Sequence, residues 1–240
     1  MTRPARQAAA EPARSAPKAK STPRRAAKPE QPVRSRDPER TRASILAAAT
    51  IEFSSRGFAG AGIDAIANRS GVNRRMLYHY FGSKRGLWLA VLEAAYERAR
   101  SAEQRLDLAS TPPEEAMRRL ISFTFDSFIG DRTFINLLNS ENLHQARHLK
   151  DSARVKDMHS PLIGMIGEIL ARGAKGGVFR NGVDPAQLWI SIAGASYFYF
   201  SNIFTLSVIL DRDLHAAHQV SERRAHVVDL LMSSLMLPKK

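Results

Sequence analysis

Cysteine is absent from the 240-residue sequence, which excludes a disulfide framework and all thiolate chemistry. The sequence also has no glycine-rich phosphate loop, nucleophile elbow or His-Glu-x-x-His run, so the familiar enzyme signatures are missing. No apolar stretch near the N-terminus reaches the length of a secretory signal, which needs roughly seven to fifteen residues. Alternating apolar and polar residues between hairpin turns are missing as well, which argues against a β fold.

Acidic residues are too few to balance the basic ones. The chain has 36 Lys and Arg against 23 Asp and Glu, which gives a formal net charge of +13. Residues 1–36 carry a net +8 of this charge, residues 37–85 carry +4, and the remainder of the chain carries only +1. This distribution indicates a polyanionic partner for the front of the chain, and nucleic acid is the leading candidate.

Residues 1–36 alternate Pro, Ala, Arg, Lys and Ser, and Val33 is their only branched aliphatic residue. Such a composition buries too little apolar surface to offset its ordering entropy, so it predicts a disordered basic tail. The tail could be an electrostatic arm on DNA phosphates or a solubilising extension, and the sequence favours neither. An organellar transit peptide is a weaker alternative, because no amphipathic apolar stripe accompanies the arginines.

Helical periodicity runs through the rest of the chain. Asp37-Pro38-Glu39 is a typical helix start, with an acidic N-cap, a proline in the first position and a second acid in the first turn. Ile45, Ala49 and Phe53 then recur every four residues until Gly57 stops the helix. Similar patterns downstream predict an all-α fold of about nine helices.

The pattern of residues 63–81 predicts two short helices joined by a tight turn at Gly71. Asn73 can cap the second helix, while Leu77 and Phe81 lie four residues apart and must face inward. The outward-facing residues of this helix are mostly basic or aromatic: Arg74, Arg75, Met76, Tyr78 and His79. Two short helices with such an exposed face predict a helix-turn-helix.

The exposed face of this second helix suits the major groove of DNA. An arginine can donate two hydrogen bonds to a guanine edge, and the free amide groups near Asn73 favour a phosphate. Arg74 and Arg75 could instead only solvate an exposed face, which is the usual role of an isolated pair. The short, turn-bounded helix around them favours the DNA interpretation.

Four segments form a series along the N-terminal region: Phe53–Phe58, Ile66-Ala67, Gly71-Val72 and Leu77–Leu87. In this order they resemble the DNA-binding region of TetR-type transcriptional regulators over residues 39–90. A run of matches of this length is far more specific than a bare helix-turn-helix.

The resemblance implies that Lys84 opens a fourth helix and contacts phosphate, and that Tyr78 contacts phosphate as well. The implied DNA-binding set is therefore Asn73, Arg74, Arg75, Met76, Tyr78, His79 and Lys84.

The sequence departs from the family pattern at two places. Ala61-Gly62 stands where a Thr or Ser usually caps the second helix, which weakens one phosphate contact. Arg75 stands where glycine is common, which suggests an individual base preference.

Residues 134–144 and 177–185 resemble the C-terminal domain of one branch of this family, which includes a repressor of nicotinate degradation. The resemblance implies a helix-turn-helix domain at residues 37–84 and a helical effector-binding and dimerisation domain at residues 85–240. It also implies a regulator rather than an enzyme, without a cofactor, that binds a palindromic operator as a homodimer. We expect a cytoplasmic repressor that is associated with the nucleoid when it is bound to DNA. A small-molecule effector is expected to release it from its operator.

Residues 117–165 combine aromatic side chains with amides and histidines, which is the composition of a small-molecule site. The predicted effector contacts, including two aromatic residues of a later helix, are Phe125, Phe128, Asn139, Asn142, His144, Trp189 and Tyr197. Aromatic residues at helical spacing are more often core, and this interpretation is favoured for Phe125 and Phe128. The effector is unknown, and a small aromatic acid is one candidate.

No charged residue occurs between Pro185 and Leu210. The length would suit a transmembrane helix, but the polar residues within it and its acidic flanks favour a long buried helix. In this interpretation Phe204 faces the subunit core with Trp189 and Tyr197. Together with the last helix, the segment predicts a four-helix dimer interface. Its predicted residues are Ala195, Tyr199, Ile203, Val227, Leu231 and Leu235, and a purely intramolecular core is the alternative.

Glu141, His144 and His148 have a spacing that could hold a divalent metal or serve a helical hydrolase. No further ligand can be identified, and a solvated or capping histidine pair explains the spacing equally well, so no metal is predicted.

A nonspecific nucleoid-binding protein driven by the basic tail is the remaining alternative. Removing residues 1–36 would separate it from a site-specific regulator, which keeps its operator preference.

Overall fold

The structure is a computed structural model that describes residues 37–238, so the tail predicted for residues 1–36 lies outside the described residues. Within this range the chain forms ten α-helices and two short 3-10 turns. The only strand-like feature there is a bridge between Phe179 and Met236. The all-α prediction is therefore confirmed, with ten helices where about nine were expected.

The helices follow one another through short connections. In chain order they are α1 (Pro38–Gly60), α2 (Ile63–Ser70), α3 (Arg74–Phe81), α4 (Lys84–Glu103), α5 (Pro113–Ile129), α6 (Arg132–Leu143), α7 (Ala153–Lys175), α8 (Pro185–Ser201), α9 (Ile203–Ile209) and α10 (Ala217–Leu235). The 3-10 turns, Gln104–Leu106 and Leu149–Asp151, follow α4 and precede α7.

The first four helices pack around a shared apolar core. Asp37 caps α1 as predicted, because its Oδ1 accepts hydrogen bonds from the N–H groups of Glu39 and Arg40 at 3.0 and 3.4 Å. Gly57 interrupts α1 with a φ of 65°, a left-handed conformation that favours glycine. The largest buried side chains of this core are Ile45, Phe53, Ile66, Leu77, Leu87, Trp88 and Leu92.

The later helices form a body that packs against the first four through α1 and α4. Helix α5 packs against α7, α8 and α10, whereas α6 packs against α1 and α8, and α4 contacts α1, α3 and α7. Arg172 of α7 fixes the connection between α4 and α5. Its Nη1 and Nη2 donate to the carbonyl oxygens of Thr111 and Leu108, each at 2.8 Å. The connection that follows α4 is therefore held against α7.

The uncharged segment after Pro185 is not the single long helix that we expected. It breaks at Asn202 into α8 and α9, which are bent by 70° relative to each other, and the Asn202 side chain donates to the Phe198 carbonyl at 3.0 Å. Among the described helices, none is by itself long and apolar enough to cross a membrane, and α8 with α9 meets the criteria only as this bent pair. Phe204, expected in the core, is exposed on α9.

Five of the six predicted dimer residues lie in the core of the subunit. The exposed fraction of the residue is at most 7% for each of Tyr199, Ile203, Val227, Leu231 and Leu235. Ala195 is half-buried, and its carbonyl accepts a hydrogen bond from Arg223. The predicted face is therefore corrected, because side chains covered by their own subunit have little surface left for a second chain. Helix α8 is apolar on both sides, so periodicity alone does not decide which side turns inward.

Candidate nucleic-acid interface and effector site

The turn between α2 and α3 has the geometry that the sequence predicts. Gly71 ends α2 with a φ of 69°, and its N–H donates to the Asn68 carbonyl at 3.3 Å. Asn73 Oδ1 accepts a hydrogen bond from the N–H of Met76 at 3.0 Å and so caps α3. Leu77 is buried against the core, which leaves the opposite side of α3 open to solvent.

The predicted recognition residues lie mostly on this open side. Asn73, Arg74, Arg75, Tyr78 and His79 are exposed, whereas Met76 is half-buried. In helix-turn-helix proteins the N-terminal residues of the second helix contact base edges. Arg74 and Arg75 are the first two residues of α3, so the geometry gives them this position.

Neighbouring side chains hold Arg74 but not Arg75. The Nη2 of Arg74 donates to the Tyr78 hydroxyl at 3.4 Å, and its Nη1 lies 3.8 Å from Asp64 Oδ1. The hydrogen bond with Tyr78 raises the pKa of Arg74, whose guanidinium is charged at neutral pH in any case. The side chain of Arg75 is exposed and makes no hydrogen bond or ion pair within residues 37–238. Arg75 is therefore free to contact a base.

Two glycines set the angle between α3 and α4. Gly82 has a φ of 70° and its N–H donates to the Tyr78 carbonyl at 2.8 Å. Ser83 then caps α4, because its Oγ accepts from the N–H of Gly86 at 3.0 Å. A Cβ at Gly86 would lie only 2.2 Å from the carbonyl oxygen of Phe81. Any side chain there would push α3 away from α4.

Lys84 begins α4 as the family resemblance implies, but its ammonium group is turned toward α1. Its Nζ donates to the carbonyl of Ala59 at 3.3 Å and lies 5.3 Å from the centre of the Phe58 ring. A phosphate contact by Lys84 would therefore replace this hydrogen bond. The expected weakness at the start of α2 is also present, since Gly62 provides no side-chain cap.

A buried carboxylate joins the first four helices to α6. Glu141 Oε2 accepts from Trp88 Nε1 at 2.8 Å and lies 2.7 Å from His148 Nδ1. Its Oε1 accepts from the backbone N–H groups of His148 and Leu149 at 2.9 and 3.1 Å. Burial opposes ionisation, but these donors outweigh it and hold the pKa of Glu141 below its ordinary value. We call Glu141, Trp88 and His148 the buried polar link.

Phe58, just after the break in α1, packs against this link. Its ring centre lies 4.4 Å from that of His148 and 5.8 Å from that of Trp88. Its backbone N–H donates to Ser140 Oγ at 3.3 Å. The buried polar link thus brings together α1, α4, α6 and the segment that follows α6. In the sequence, Glu141 and His148 stand out only by their spacing, which gives no sign of their contact with Trp88.

The same contacts explain the histidines that suggested a metal. His148 is paired with Glu141, and His144 Nδ1 lies 2.7 Å from the carbonyl oxygen of Ser140. In the part of the chain that the structure describes, no group of three or more His, Cys, Asp or Glu is placed to hold a metal ion. The spacing of Glu141, His144 and His148 therefore reflects packing against α1 and α4.

The structure brings together only some of the seven predicted effector contacts. The Tyr197 hydroxyl donates to Asn139 Oδ1, and the Tyr197 ring centre lies 5.8 Å from that of Phe128. Phe125 is completely buried, and its ring centre lies 5.0 Å from that of Phe200. Phe125 thus has the core role that the sequence favoured.

The other three predicted effector contacts lie elsewhere. Asn142 is exposed at the end of α6, and the His144 ring centre lies 6.3 Å from that of Phe58, on the side of α6 that faces α1. Trp189 is half-buried under the guanidinium of Arg100, whose carbon atom lies 5.1 Å from the ring centre. The seven residues are therefore not gathered at one place, and their contact with an effector stays a prediction.

A buried ion pair at the end of α4 was not singled out from the sequence. Arg100 and Glu103 are 8% and 5% exposed, and Nη1 lies 2.8 Å from Oε2. Burial raises the pKa of Glu103 to about 7, against the attraction of Arg100. The pair borders a cleft of about 210 Å³ with Gln104, Met158, Pro161, Leu162 and Met165. An Arg and a Glu three residues apart on a charged helix look like a surface pair, so the sequence held no signal of this burial.

Helix α3 is capped by Asn73, exposed on one side and bounded by the glycine turns at Gly71 and Gly82. This arrangement on a packed helical body defines a helix-turn-helix DNA-binding protein. The family model "Bacterial regulatory proteins, tetR family" matches residues 45–91, and "Tetracyclin repressor-like, C-terminal domain" matches residues 113–231. The chain is also 36% identical over 194 residues to the transcriptional repressor NicS of Pseudomonas putida, covering 81% of this chain and 92% of NicS. The chain belongs to the TetR family and is a DNA-binding transcriptional regulator, not an enzyme.

Two further relatives match the chain to different extents. The transcriptional activator FasR of Mycolicibacterium smegmatis is 35% identical over 85 residues, which are 35% of this chain and 39% of FasR. The solved structure of the ketosteroid transcriptional regulator KstR2 of Mycobacterium tuberculosis gives a TM-score of 0.59 at 18% identity, covering 82% of this chain and 95% of KstR2. This second likeness supports the fold alone, and it agrees with the predicted architecture.

Proposed function

We propose that the chain is a homodimeric cytoplasmic repressor that binds a palindromic operator and leaves it when a small-molecule effector binds the helical body. The observation that carries this proposal is the exposed cationic start of α3, at Arg74 and Arg75. NicS is named a repressor, which supports this sign of regulation. FasR is named an activator, so activation from the same site is the second candidate.

The residues of α3 are proposed to divide between bases and phosphates. Arg75 donates to a base edge, since no neighbour engages it, and the half-buried Met76 offers an apolar contact to a thymine methyl group. The free amides at the capped start of α3 hold one phosphate. The exposed Asn73, Arg74, Tyr78 and His79 position the helix on the DNA backbone, together with the half-buried Lys84 once it is released from Ala59.

The second subunit is proposed to cover the exposed side of α8 and α10. We call Ile190, Phe198, Leu230 and Leu237 the apolar face, and each is exposed in the subunit. Eight of the twelve exposed large apolar side chains of the described residues lie between positions 190 and 237, and such concentrations mark interaction surfaces. A groove of about 330 Å³ beside Phe198 offers room for side chains of the second copy. This face replaces the one predicted from the sequence.

The buried polar link is the proposed route from the body to the operator. Two α3 helices of a dimer must reach successive major grooves, roughly 34–36 Å apart. An effector that displaces α6 relative to α4 would move the first four helices through Glu141 and Trp88, and so change this separation. The effector must bind the released geometry more tightly than the DNA-bound one, because equal affinity shifts nothing.

Selection of bound DNA from a random pool tests the proposed function directly. The full chain is expected to enrich two inverted half-sites whose centres lie about one helical turn, roughly 10 base pairs, apart. A flat pool, with affinity that depends only on salt, would instead support the nonspecific nucleoid-binding alternative. A reporter gene behind the selected sequence then distinguishes repression from activation.

Arg75→Ala is expected to lose about 1–3 kcal/mol of discrimination between the selected operator and its single-base variants, because it removes a bidentate base contact. Competition binding on operator and random DNA measures the loss. Arg98→Ala, at an exposed arginine of α4, is the matched control and should leave both affinities unchanged. Equal weakening on operator and random DNA would reassign Arg75 to a phosphate.

A further inference from the structure

Arg100, near the end of α4, is a buried cation whose hydrogen bonds are incomplete. Its Nε and Nη1 have no hydrogen-bond partner among the described residues. The Nη1 lies 2.8 Å from Glu103 Oε2, but without the alignment of a hydrogen bond. Buried polar groups are nearly always hydrogen-bonded, because leaving a donor unpaired is costly. The incomplete set points to a ligand that the chain itself does not supply.

The surroundings hold this guanidinium in one orientation. The Trp189 ring lies below it at 5.1 Å, which is a favourable cation–π distance. Arg172 of the neighbouring α7 contrasts with it, because its Nη1 and Nη2 are both used by the carbonyls of Leu108 and Thr111. Arg172 thus has a structural role, whereas Arg100 is oriented and still has donors to offer.

The cleft beside Arg100 has an apolar wall. Its volume is about 210 Å³, and Met158, Pro161, Leu162 and Met165 line it. A second cleft of about 210 Å³ adjoins it and shares Glu103, Gln104 and Met165. An apolar cavity with one or two oriented polar groups is the usual form of a small-molecule site. The ligand should therefore combine one anionic group with a compact apolar body.

We propose that Arg100 binds the carboxylate of a small monocarboxylic acid, whose apolar part lies against Met158, Leu162 and Met165, and that the acid displaces Glu103 from the guanidinium. A planar guanidinium matches a carboxylate with two parallel hydrogen bonds. This assignment rests on the proposed effector response, and it gives that effector a chemical class.

Glu103 makes the exchange possible without a second buried negative charge. Its pKa of about 7 allows it to take up a proton when the incoming carboxylate takes its place beside Arg100. The site lies at the opposite end of α4 from Lys84, which begins that helix next to α3. Binding at Arg100 therefore acts on the helix that joins the body to the DNA-binding helices.

Calorimetric titration of the full chain with benzoate and hexanoate tests the assignment, with benzamide and hexanamide as neutral counterparts. The acids are expected to bind more tightly than their amides. Arg100→Met is expected to weaken acid binding roughly 10- to 100-fold, because it removes charge-assisted hydrogen bonds. Arg98→Met, at an exposed arginine on the same helix, is the matched control and should leave acid affinity unchanged.

Glu103→Gln keeps the test meaningful if Arg100→Met unfolds the chain. It removes the competing charge, so it is expected to tighten acid binding by roughly three- to tenfold. No binding by either acid, equal binding of acid and amide, or acid binding unchanged by both variants would overturn the site.

Operator release separates this inference from the proposed function. If acids bind through Arg100 but leave the operator complex intact, the carboxylate site stands and the effector response fails. If the acids release Arg100→Met and the unsubstituted chain from the operator equally well, the effector response stands and the Arg100 site is overturned.

Discussion

Replacing Glu141 with alanine is expected to lower the free energy of unfolding by about 3–5 kcal/mol. One carboxylate satisfies Trp88 Nε1, the His148 ring and the backbone N–H groups of His148 and Leu149. Truncation leaves these buried donors unpaired and also opens a cavity, and neither cost is offset elsewhere. Urea denaturation followed by circular dichroism measures the change.

Asn142→Ala provides the matched control, because Asn142 follows Glu141 on α6 but is exposed. It should change the free energy of unfolding by no more than about 0.5 kcal/mol. Trp88→Phe keeps most of the ring and removes one hydrogen-bond donor to Glu141. The loss in free energy of unfolding should therefore lie between those of Asn142→Ala and Glu141→Ala. A loss below about 1 kcal/mol for Glu141→Ala would show that water replaces the carboxylate, and the buried polar link would lose its proposed role.

The pH dependence of stability follows from the same carboxylate. Because its donors hold the pKa of Glu141 below the ordinary 4.5, Glu141 contributes stability that is present above pH 4.5. This contribution is lost as the pH falls through the lowered value in the folded chain. Glu141→Ala should therefore flatten the acid limb of the stability curve relative to that of the unsubstituted chain, as measured by urea denaturation at a series of pH values.

Local features of this fold could be predicted because their causes are local. Asp37 and Asn73 cap α1 and α3 through bonds to residues two or three positions away, so sequence neighbours determine them. Gly71 requires only its own backbone freedom to end α2. The recognition helix was accessible to prediction for this reason.

The candidate effector site could not be predicted, because residues distant in sequence create it. Arg100 and Glu103 become a buried pair through Trp189 and through α7, and neither is visible in the pattern of α4. The buried polar link has the same origin, since Trp88 and Glu141 are 53 positions apart. Helix α8 presents a different difficulty: its two sides are equally apolar, and contacts with α5 and α10 decide which side is buried.

Leu230→Glu is expected to separate the proposed dimer into folded subunits and to raise its dissociation constant by roughly 100-fold or more. Leu230 is 55% exposed in the subunit, so a glutamate there is solvated and the fold should persist. In the dimer, two symmetry-related carboxylates would be buried without partners, and unpaired buried charges cost several kcal/mol. Sedimentation velocity measures the dissociation constant.

Leu143→Glu is the matched control for this variant. It introduces the same leucine-to-glutamate change at the end of α6. The Leu143 side chain is 82% exposed and lies outside the apolar face, so the dimer should remain intact. Operator affinity should fall with Leu230→Glu, because a single subunit occupies only one half-site. A dimer that survives Leu230→Glu would place the second subunit on another surface. A variant at Leu231 could not decide the matter, because that neighbour lies in the core and its loss would unfold the subunit itself.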